Sequence, residues 1–300
     1  MKSRLKDTIW FLDLRHAFRT PTWKALALSM VLISAYYLAL YFLVNHFINF
    51  EFEIPGFVIY SLGYVIAILF YFRLNNSYYR WNDGNKAMAQ LRALNESFVM
   101  KARTYLGGDE EELKFLATMV KNHYRALRDL VRGFQNPKNL IEPRPGYSSK
   151  MEGSQHLATR LTSLLVQRVN ALYNDGKLTR IQFLDLSRII HKNTEIVSTC
   201  EALQDSPPPK TYIFHIRGFI LAYAAMIPFG FMGHFEAWVL LFLVVFFYFY
   251  AGLEMVSDEM EDPFGFDEND IPVAQLTDLV EKRIDAITSP YPPQYERPKT

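Results

Sequence analysis

The sequence lacks the residues and motifs on which most catalytic and metal sites depend. Its single cysteine, Cys200, excludes an internal disulfide framework and a cysteine metal cage. It contains no glycine-rich phosphate loop, no G-x-S-x-G turn and no paired histidine motif. We therefore predict that the protein is not an enzyme. With a formal net charge of +1 and no basic stripe, the sequence also predicts no binding to nucleic acid.

Charged side chains are absent from four long windows, although 21% of the chain is charged. The windows span residues 25–50, 54–72, 218–235 and 237–253. A helix needs about 20 apolar residues to cross a bilayer, and a shorter window can span with the help of flanking aromatic residues. The sequence therefore predicts an all-α membrane protein with four transmembrane helices. Because no carboxylate or amine lies inside a window, a passive route or a scaffold is favoured over a proton-coupled transporter.

The basic residues predict how the chain crosses the membrane. Six of the 32 Lys and Arg residues lie in residues 1–24, 22 in residues 73–217 and four in residues 282–300. None lies in the short connections 46–56 and 233–236. Positive charge marks the cytoplasmic side, so both termini and the long middle segment are predicted to be cytoplasmic. The predicted location is the cell membrane, which is the inner membrane in a bacterium.

The charge pattern also predicts the domain organisation. Leucines recur at three- and four-residue steps between residues 113 and 130 and again between residues 157 and 172, which indicates amphipathic helices in the cytoplasmic part. The predicted segments are a cytoplasmic amino-terminal segment (1–24), transmembrane helices 1 and 2 (25–72), a helical cytoplasmic region (73–210), transmembrane helices 3 and 4 (211–253), and an acidic motif with a carboxyl-terminal helix (254–300).

The second transmembrane helix carries a candidate pore lining. Tyr64, Ile68 and Phe72 are spaced four residues apart and share one helix face. In a symmetric ring they would form an apolar constriction, since four helices without internal charge cannot enclose a pore alone. The alternative interpretation is that these side chains pack against lipid or other helices.

An acidic segment follows the fourth transmembrane helix. Seven of the thirteen residues from Asp258 to Asp270 are acidic. Such dense oxygen ligands suit Ca²⁺, although their spacing does not match an EF-hand loop. The alternative is a solvated acidic turn in which Asp270 caps the helix that follows Ile271-Pro272.

Two motifs together resemble the bestrophin family of ion channels. One is the run from Phe72 to Trp81, which reads Phe-Arg-Leu-Asn-Asn-Ser-Tyr-Tyr-Arg-Trp. The other is the run from Glu261 to Pro272, Glu-Asp-Pro-Phe-Gly-Phe-Asp-Glu-Asn-Asp-Ile-Pro, which is similar to a run in bacterial members. Their order and the four-helix topology extend the resemblance over nearly the whole chain.

The resemblance implies a homopentameric channel whose second helix lines a narrow hydrophobic neck. It places Tyr64, Ile68 and Phe72 at the neck positions, and Ile181 in the region of a second, cytoplasmic constriction. Tyr64 departs from the aliphatic residue usual in the family, and its hydroxyl would make the outer ring of the neck less water-repellent.

The resemblance also implies a Ca²⁺ site, which makes Ca²⁺ the one candidate cofactor. In calcium-gated animal members an acidic clasp combines carboxylates with backbone oxygens. The match places Asp267 and Asp270 at the carboxylate positions, and Glu259 and Asp262 where backbone oxygens are supplied.

The function that follows is a passive ion channel of the bestrophin type, whose partners are membrane lipid, permeant ions and four further copies of the chain. Chloride and other small monovalent anions are the ions favoured by the family. Conduction of monovalent cations is the alternative, because a hydrophobic neck has no charged ring to select the sign of the permeant ion. The alternative is a non-conducting membrane scaffold whose cytoplasmic helices bind a partner.

Overall fold

The computed structural model describes residues 21–47, 54–147, 151, 153–154, 156–267 and 269–289, and these residues form eight α-helices and no strand. The all-helical prediction is therefore confirmed for this part of the chain. The helices are α1 (Pro21–Phe47), α2 (Gly56–Leu106), α3 (Glu110–Leu130), α4 (Leu157–Asn174), α5 (Arg180–Asp205), α6 (Lys210–Phe235), α7 (Trp238–Glu261) and α8 (Val273–Thr288). Of the predicted segments, residues 1–20, 48–53 and 290–300 lie outside the described residues.

Four helices, α1, α2, α6 and α7, are long and apolar enough to cross a membrane. Each overlaps one of the four charge-free windows, so the prediction of four such helices is confirmed. Most of the side chains in their apolar stretches are not covered by the chain itself. Such surface is suited to lipid or to another apolar partner.

The chain divides into two compact units. The first comprises residues up to Tyr79 together with Pro208–Glu261, and the second comprises Arg80–Pro207 together with the residues from Asp262 onward. Helix α2 supplies residues to both. It ends at Leu106, well beyond residue 72, where the second charge-free window ends. The charges after Phe72 end the apolar stretch but do not break the helix, which stops before Gly107 and Gly108, both at positive φ.

The core of the first unit collects buried side chains from α1, α2, α6 and α7, and α7 packs against both α1 and α6. The Ile59 side chain, 1% exposed, occupies the space beside Gly230, where an added Cβ would clash with Ile59 Cδ1. About three turns further along α2, the Phe70 ring meets the Tyr250 ring edge-on at 4.9 Å. These contacts fix which face of α2 is turned toward its neighbours.

The core of the second unit is built around α3, which packs against α4 and α8, while α4 packs against α5. Leu116 and Leu127 of α3 are fully buried, as the leucine spacing predicts. The Asp109 carboxylate caps α3 by accepting a hydrogen bond from the Glu112 amide (3.2 Å). Thr179 and Gln182 form a reciprocal capping box at the start of α5.

Candidate functional site

Helix α2 has two opposite faces. Tyr64, Ile68 and Phe72 are 73%, 57% and 53% exposed. At about 100° per residue, the centre of this stripe lies about 180° around the helix from the buried face. That buried face consists of Ile59, Ile66, Phe70, Arg73 and Ser77, each no more than 4% exposed. The candidate neck residues therefore point away from the other helices of their own chain, and their assignment to a neck stays a prediction.

The buried face of α2 includes a buried cation, the guanidinium of Arg73. Arg73 is 1% exposed, and its guanidinium lies 3.3 Å from Glu254 Oε2 and 3.6 Å from Asp258 Oδ1 of α7. It also pairs with Glu261 at the end of α7. One turn further along α2, the Ser77 hydroxyl lies within hydrogen-bond distance of Glu261 Oε1 (3.2 Å) and of the Arg73 carbonyl (3.0 Å). The buried guanidinium and the nearly buried carboxylates of Glu254 and Glu261 thus satisfy each other where none of them is well solvated.

A second arginine reaches the same carboxylates from α6. Arg217 Nε donates to Glu254 Oε1 (3.0 Å) and a terminal nitrogen donates to Asp258 Oδ1 (2.9 Å). Two arginines and three carboxylates thus join α2, α6 and α7, with a formal charge of −1. We call these five residues, Arg73, Arg217, Glu254, Asp258 and Glu261, the arginine cluster.

The sequence motifs did not predict the arginine cluster, although Arg73 belongs to the motif from Phe72 to Trp81. A signal was present in α2 itself. The steps from Ile66 to Phe70, Arg73 and Ser77 are four, three and four residues, so Arg73 continues the buried face.

Ile181, the predicted cytoplasmic constriction, is the second residue of α5. Its side chain is 81% exposed, and the capping box of Thr179 and Gln182 holds the backbone beside it. An apolar side chain on a well-capped helix terminus is rigidly presented to solvent in the single chain. This exposure is compatible with a ring in an oligomer, and the constriction stays a prediction.

The part of the acidic segment that follows Glu261 packs against α2 within the second unit. An added Cβ on Gly84 would lie 3.1–3.3 Å from the side chains of Ile271, Phe264 and Pro263, so a glycine permits this close approach. The Phe264 ring is fully buried, and Trp81 Nε1 donates to the Asn269 carbonyl (3.0 Å). Apolar contacts of Pro263 and Phe264 and a hydrogen bond to Asn269 therefore hold this part of the chain against α2.

Two of the four predicted metal ligands approach each other at Gly265. An added Cβ there would lie 2.7 Å from Asp270 Oδ2 and 3.2 Å from Asp262 Oδ2. Asp270 Oδ2 also accepts a hydrogen bond from the Asp267 amide (2.5 Å). Asp270 is not the helix cap that the alternative interpretation proposed, because α8 begins at Val273 after Pro272 and has no side-chain cap.

The four predicted ligands do not form one group of side chains. Glu259 belongs to the first unit, while Asp262, Asp267 and Asp270 belong to the second. Among the described residues, which exclude Glu268, no group of three or more His, Cys, Asp or Glu residues is arranged to hold a metal ion. A clasp of two carboxylates completed by backbone oxygens needs no such group, so the Ca²⁺ site stays a prediction.

Burial shifts the pKa values of several titratable groups in the second unit. It lowers the pKa of His123 to about 4 and raises the pKa of the Cys200 thiol to about 12, so neither is ionised near neutral pH. Burial alone would raise the pKa of Glu112, but hydrogen bonds from Arg168 and Arg144 outweigh it and hold that pKa below its usual value. Glu112 is thus a structural anion paired with two arginines.

Comparison with known proteins identifies a family. The family model described as "Bacterial/Fungal Bestrophin protein" matches residues 1–286. Voltage-dependent anion channel-forming protein YneE of Salmonella typhi is 24% identical over 223 residues, which cover 73% of this chain and 72% of that protein. Voltage-dependent anion channel-forming protein sll1024 of Synechocystis is 24% identical over 237 residues, which cover 74% of each chain.

Solved structures share the fold. A bacterial bestrophin homologue from Klebsiella pneumoniae superposes with a TM-score of 0.80 and 20% sequence identity, over 88% of this chain and 98% of that one. A second structure, of a variant of the Klebsiella protein, gives a TM-score of 0.82 with 18% identity over 87% of this chain and 97% of that one. At this identity the likeness shows the fold alone.

Proposed function

Because the chain belongs to the bestrophin family, we propose that it forms a passive channel for small monovalent ions, with anions favoured. The observation that carries this proposal is the uncovered apolar stripe of Tyr64, Ile68 and Phe72, directly opposite the face by which α2 contacts its own chain. A ring of such faces would enclose a narrow apolar path. The names of the related anion channel-forming proteins support the choice of anions.

We propose a closed homopentamer in the cell membrane with both termini cytoplasmic. The family implies five subunits, and the distribution of Lys and Arg supports the orientation. A closed ring is needed because one stripe on one helix cannot enclose a conducting path. Lipid would cover the apolar surface of α1, α6 and α7 that neither the chain nor a neighbouring subunit covers.

The neck works by exclusion of water. A narrow ring of apolar side chains can dewet, and an ion crosses it only when the ring widens or wets. Ile68 and Phe72 would form the tight rings, while the Tyr64 hydroxyl would make the outer ring easier to wet. Ile181 would form a second apolar ring on the cytoplasmic path.

The arrangement of subunits separates this proposal from a membrane scaffold. Chemical cross-linking of the purified protein in detergent is expected to give a ladder that ends at five subunits. Liposomes that contain the protein are expected to release chloride faster than empty liposomes do. A ladder that ends at a smaller or mixed assembly, without ion release, would favour a scaffold.

We also propose that Ca²⁺ binds at the acidic segment through the carboxylates of Asp267 and Asp270, with backbone oxygens of Glu259 and Asp262. Hard oxygen ligands of this kind suit Ca²⁺. Both Asp262 and Asp270 lie beside Gly265, so one residue proposed to supply a backbone oxygen is close to one proposed to supply a carboxylate, which supports the proposal.

Isothermal titration of the detergent-solubilised protein with CaCl₂ tests this site. We expect a binding isotherm in the wild type and its loss in an Asp267→Ala/Asp270→Ala variant, because two of the charged ligands are removed. Asp205→Ala, at the end of α5, is the matched control and is expected to bind Ca²⁺ like the wild type. Absence of binding to the wild type, or unchanged binding to the double variant, would contradict the proposal.

A further inference from the structure

We propose that Arg73 is a positioning residue, which fixes the rotation of α2 and thereby aims Phe72 into the neck. This inference rests on the proposed channel function. Arg73 follows Phe72 directly, so any rotation of the helix about its axis moves both side chains together, with about 1.5 Å of rise between their Cα atoms. Contacts that fix the Arg73 guanidinium therefore also fix the direction of the Phe72 side chain.

The sequence of α2 explains why an ion pair is needed to fix its rotation. Over Ile59, Ile66 and Phe70 the buried face is apolar, and shape alone sets how it packs. Apolar faces in lipid have no hydrophobic preference for another helix over acyl chains, so their packing fixes rotation weakly. An ion pair with defined donor directions fixes it more strongly, because a guanidinium satisfies its partners only in one plane.

The carboxylates of α7 are spaced to receive Arg73 from one direction. Glu254, Asp258 and Glu261 are separated by four and three residues and therefore share one face of α7. Arg73 contacts all three, with Glu254 nearly buried and Asp258 about half exposed. A rotation of α2 that moved Phe72 out of the neck would withdraw the guanidinium from all three carboxylates, and breaking a buried ion pair in this way is strongly unfavourable.

Arg217 offers an internal comparison. It donates to Glu254 and Asp258 as well, but it belongs to α6 and makes no contribution to the pairing of α2 with α7. Neutralising Arg217 removes one cation from the same cluster and leaves the ion pairs between α2 and α7 in place. Neutralising Arg73 also removes one cation, but it breaks those ion pairs. The two changes are matched in charge and differ in whether α2 is held.

The test measures the position of residue 72 directly, by the rate at which a charged thiol reagent modifies a Phe72→Cys variant reconstituted in liposomes. The native Cys200 is fully buried, and burial raises the pKa of its thiol to about 12, so it contributes little background. Arg73→Gln in this background is expected to change the modification rate by roughly threefold or more. Arg217→Gln is expected to leave the rate within about twofold of the parent, and Arg73→Lys, which keeps the charge, to give an intermediate rate.

A second variant guards against failure of Arg73→Gln to assemble. Arg73→Gln/Glu254→Gln removes one charge of each sign, keeps the cluster at a formal charge of −1 and is expected to show the same altered rate. Equal rates in the Arg73 variants, in Arg217→Gln and in the parent would overturn the inference. The modification rate is measured without ion flux. Absence of flux from both the wild type and an Ile68→Ala variant would therefore count against the channel, while the thiol rates would still decide the role of Arg73.

Discussion

Replacement of Ile68 by alanine is expected to raise the ion flux of the reconstituted protein by roughly tenfold, equivalent to a barrier lower by about 1.4 kcal/mol. Ile68 is the middle member of the exposed stripe on α2, and 57% of its surface is uncovered by its own chain. In a ring, loss of three carbons per subunit widens the neck and makes it easier to wet. The measurement is the rate of chloride release from liposomes at equal protein content.

The same helix provides a matched control in Ile66, which lies two residues away and is 2% exposed. Ile66→Ala removes the same atoms from the buried face. It is expected to lower the melting temperature, because it leaves a cavity that typically costs about 2–5 kcal/mol, without raising flux per assembled channel. An Ile68→Ala flux equal to that of the wild type, or an equal rise in Ile66→Ala, would show that the stripe does not line the path.

Acidification is expected to destabilise the second unit, by about 3 kcal/mol of unfolding free energy between pH 6.5 and pH 4. The cause is His123, whose pKa falls from 6.5 to about 4 on burial in the folded protein. Between those values the unfolded chain binds a proton that the folded chain excludes. This contribution to stability is therefore complete above the unfolded pKa and is lost as the pH falls toward about 4. Thermal unfolding in detergent, followed across this range, measures it.

A leucine at position 123 is expected to remove this part of the pH dependence. Neither ring nitrogen of His123 has a hydrogen-bond partner within the described part of the chain. An apolar side chain of similar size should therefore be tolerated, and His123→Leu should be more stable than the wild type at pH 5. His191→Leu, at an exposed position on α5, is the control and should keep the wild-type slope. An identical slope in His123→Leu would assign the acid sensitivity to other groups.

The four long apolar helices could be predicted because lipid imposes a simple rule. A spanning segment must satisfy its own backbone and carry few charges, so long charge-free windows mark helices directly. Leucine spacing identified α3 and α4 for a similar reason, since each has one apolar face. The extension of α2 to Leu106 was missed, because charge marks where a membrane segment ends and not where a helix ends.

The candidate site could be predicted only in part. The stripe of Tyr64, Ile68 and Phe72 is a local pattern on one helix, and its exposure follows from the same periodicity that buries Ile66 and Phe70. The arginine cluster is not local: Arg73 and Glu254 are 181 positions apart in the chain. Which acidic residues would meet Arg73 depends on how α2 and α7 pack, and side-chain spacing within either helix does not determine that.

The most direct test of the channel is the reversal potential of the purified protein in a planar bilayer under an asymmetric NaCl gradient. It should be measured for the wild type and for Ile68→Ala, so that a closed neck does not conceal conduction. We predict a current in Ile68→Ala whose reversal potential shifts toward the chloride equilibrium potential. A shift toward the sodium equilibrium potential would contradict anion selectivity, and absence of current from both proteins, with and without Ca²⁺, would contradict the channel itself.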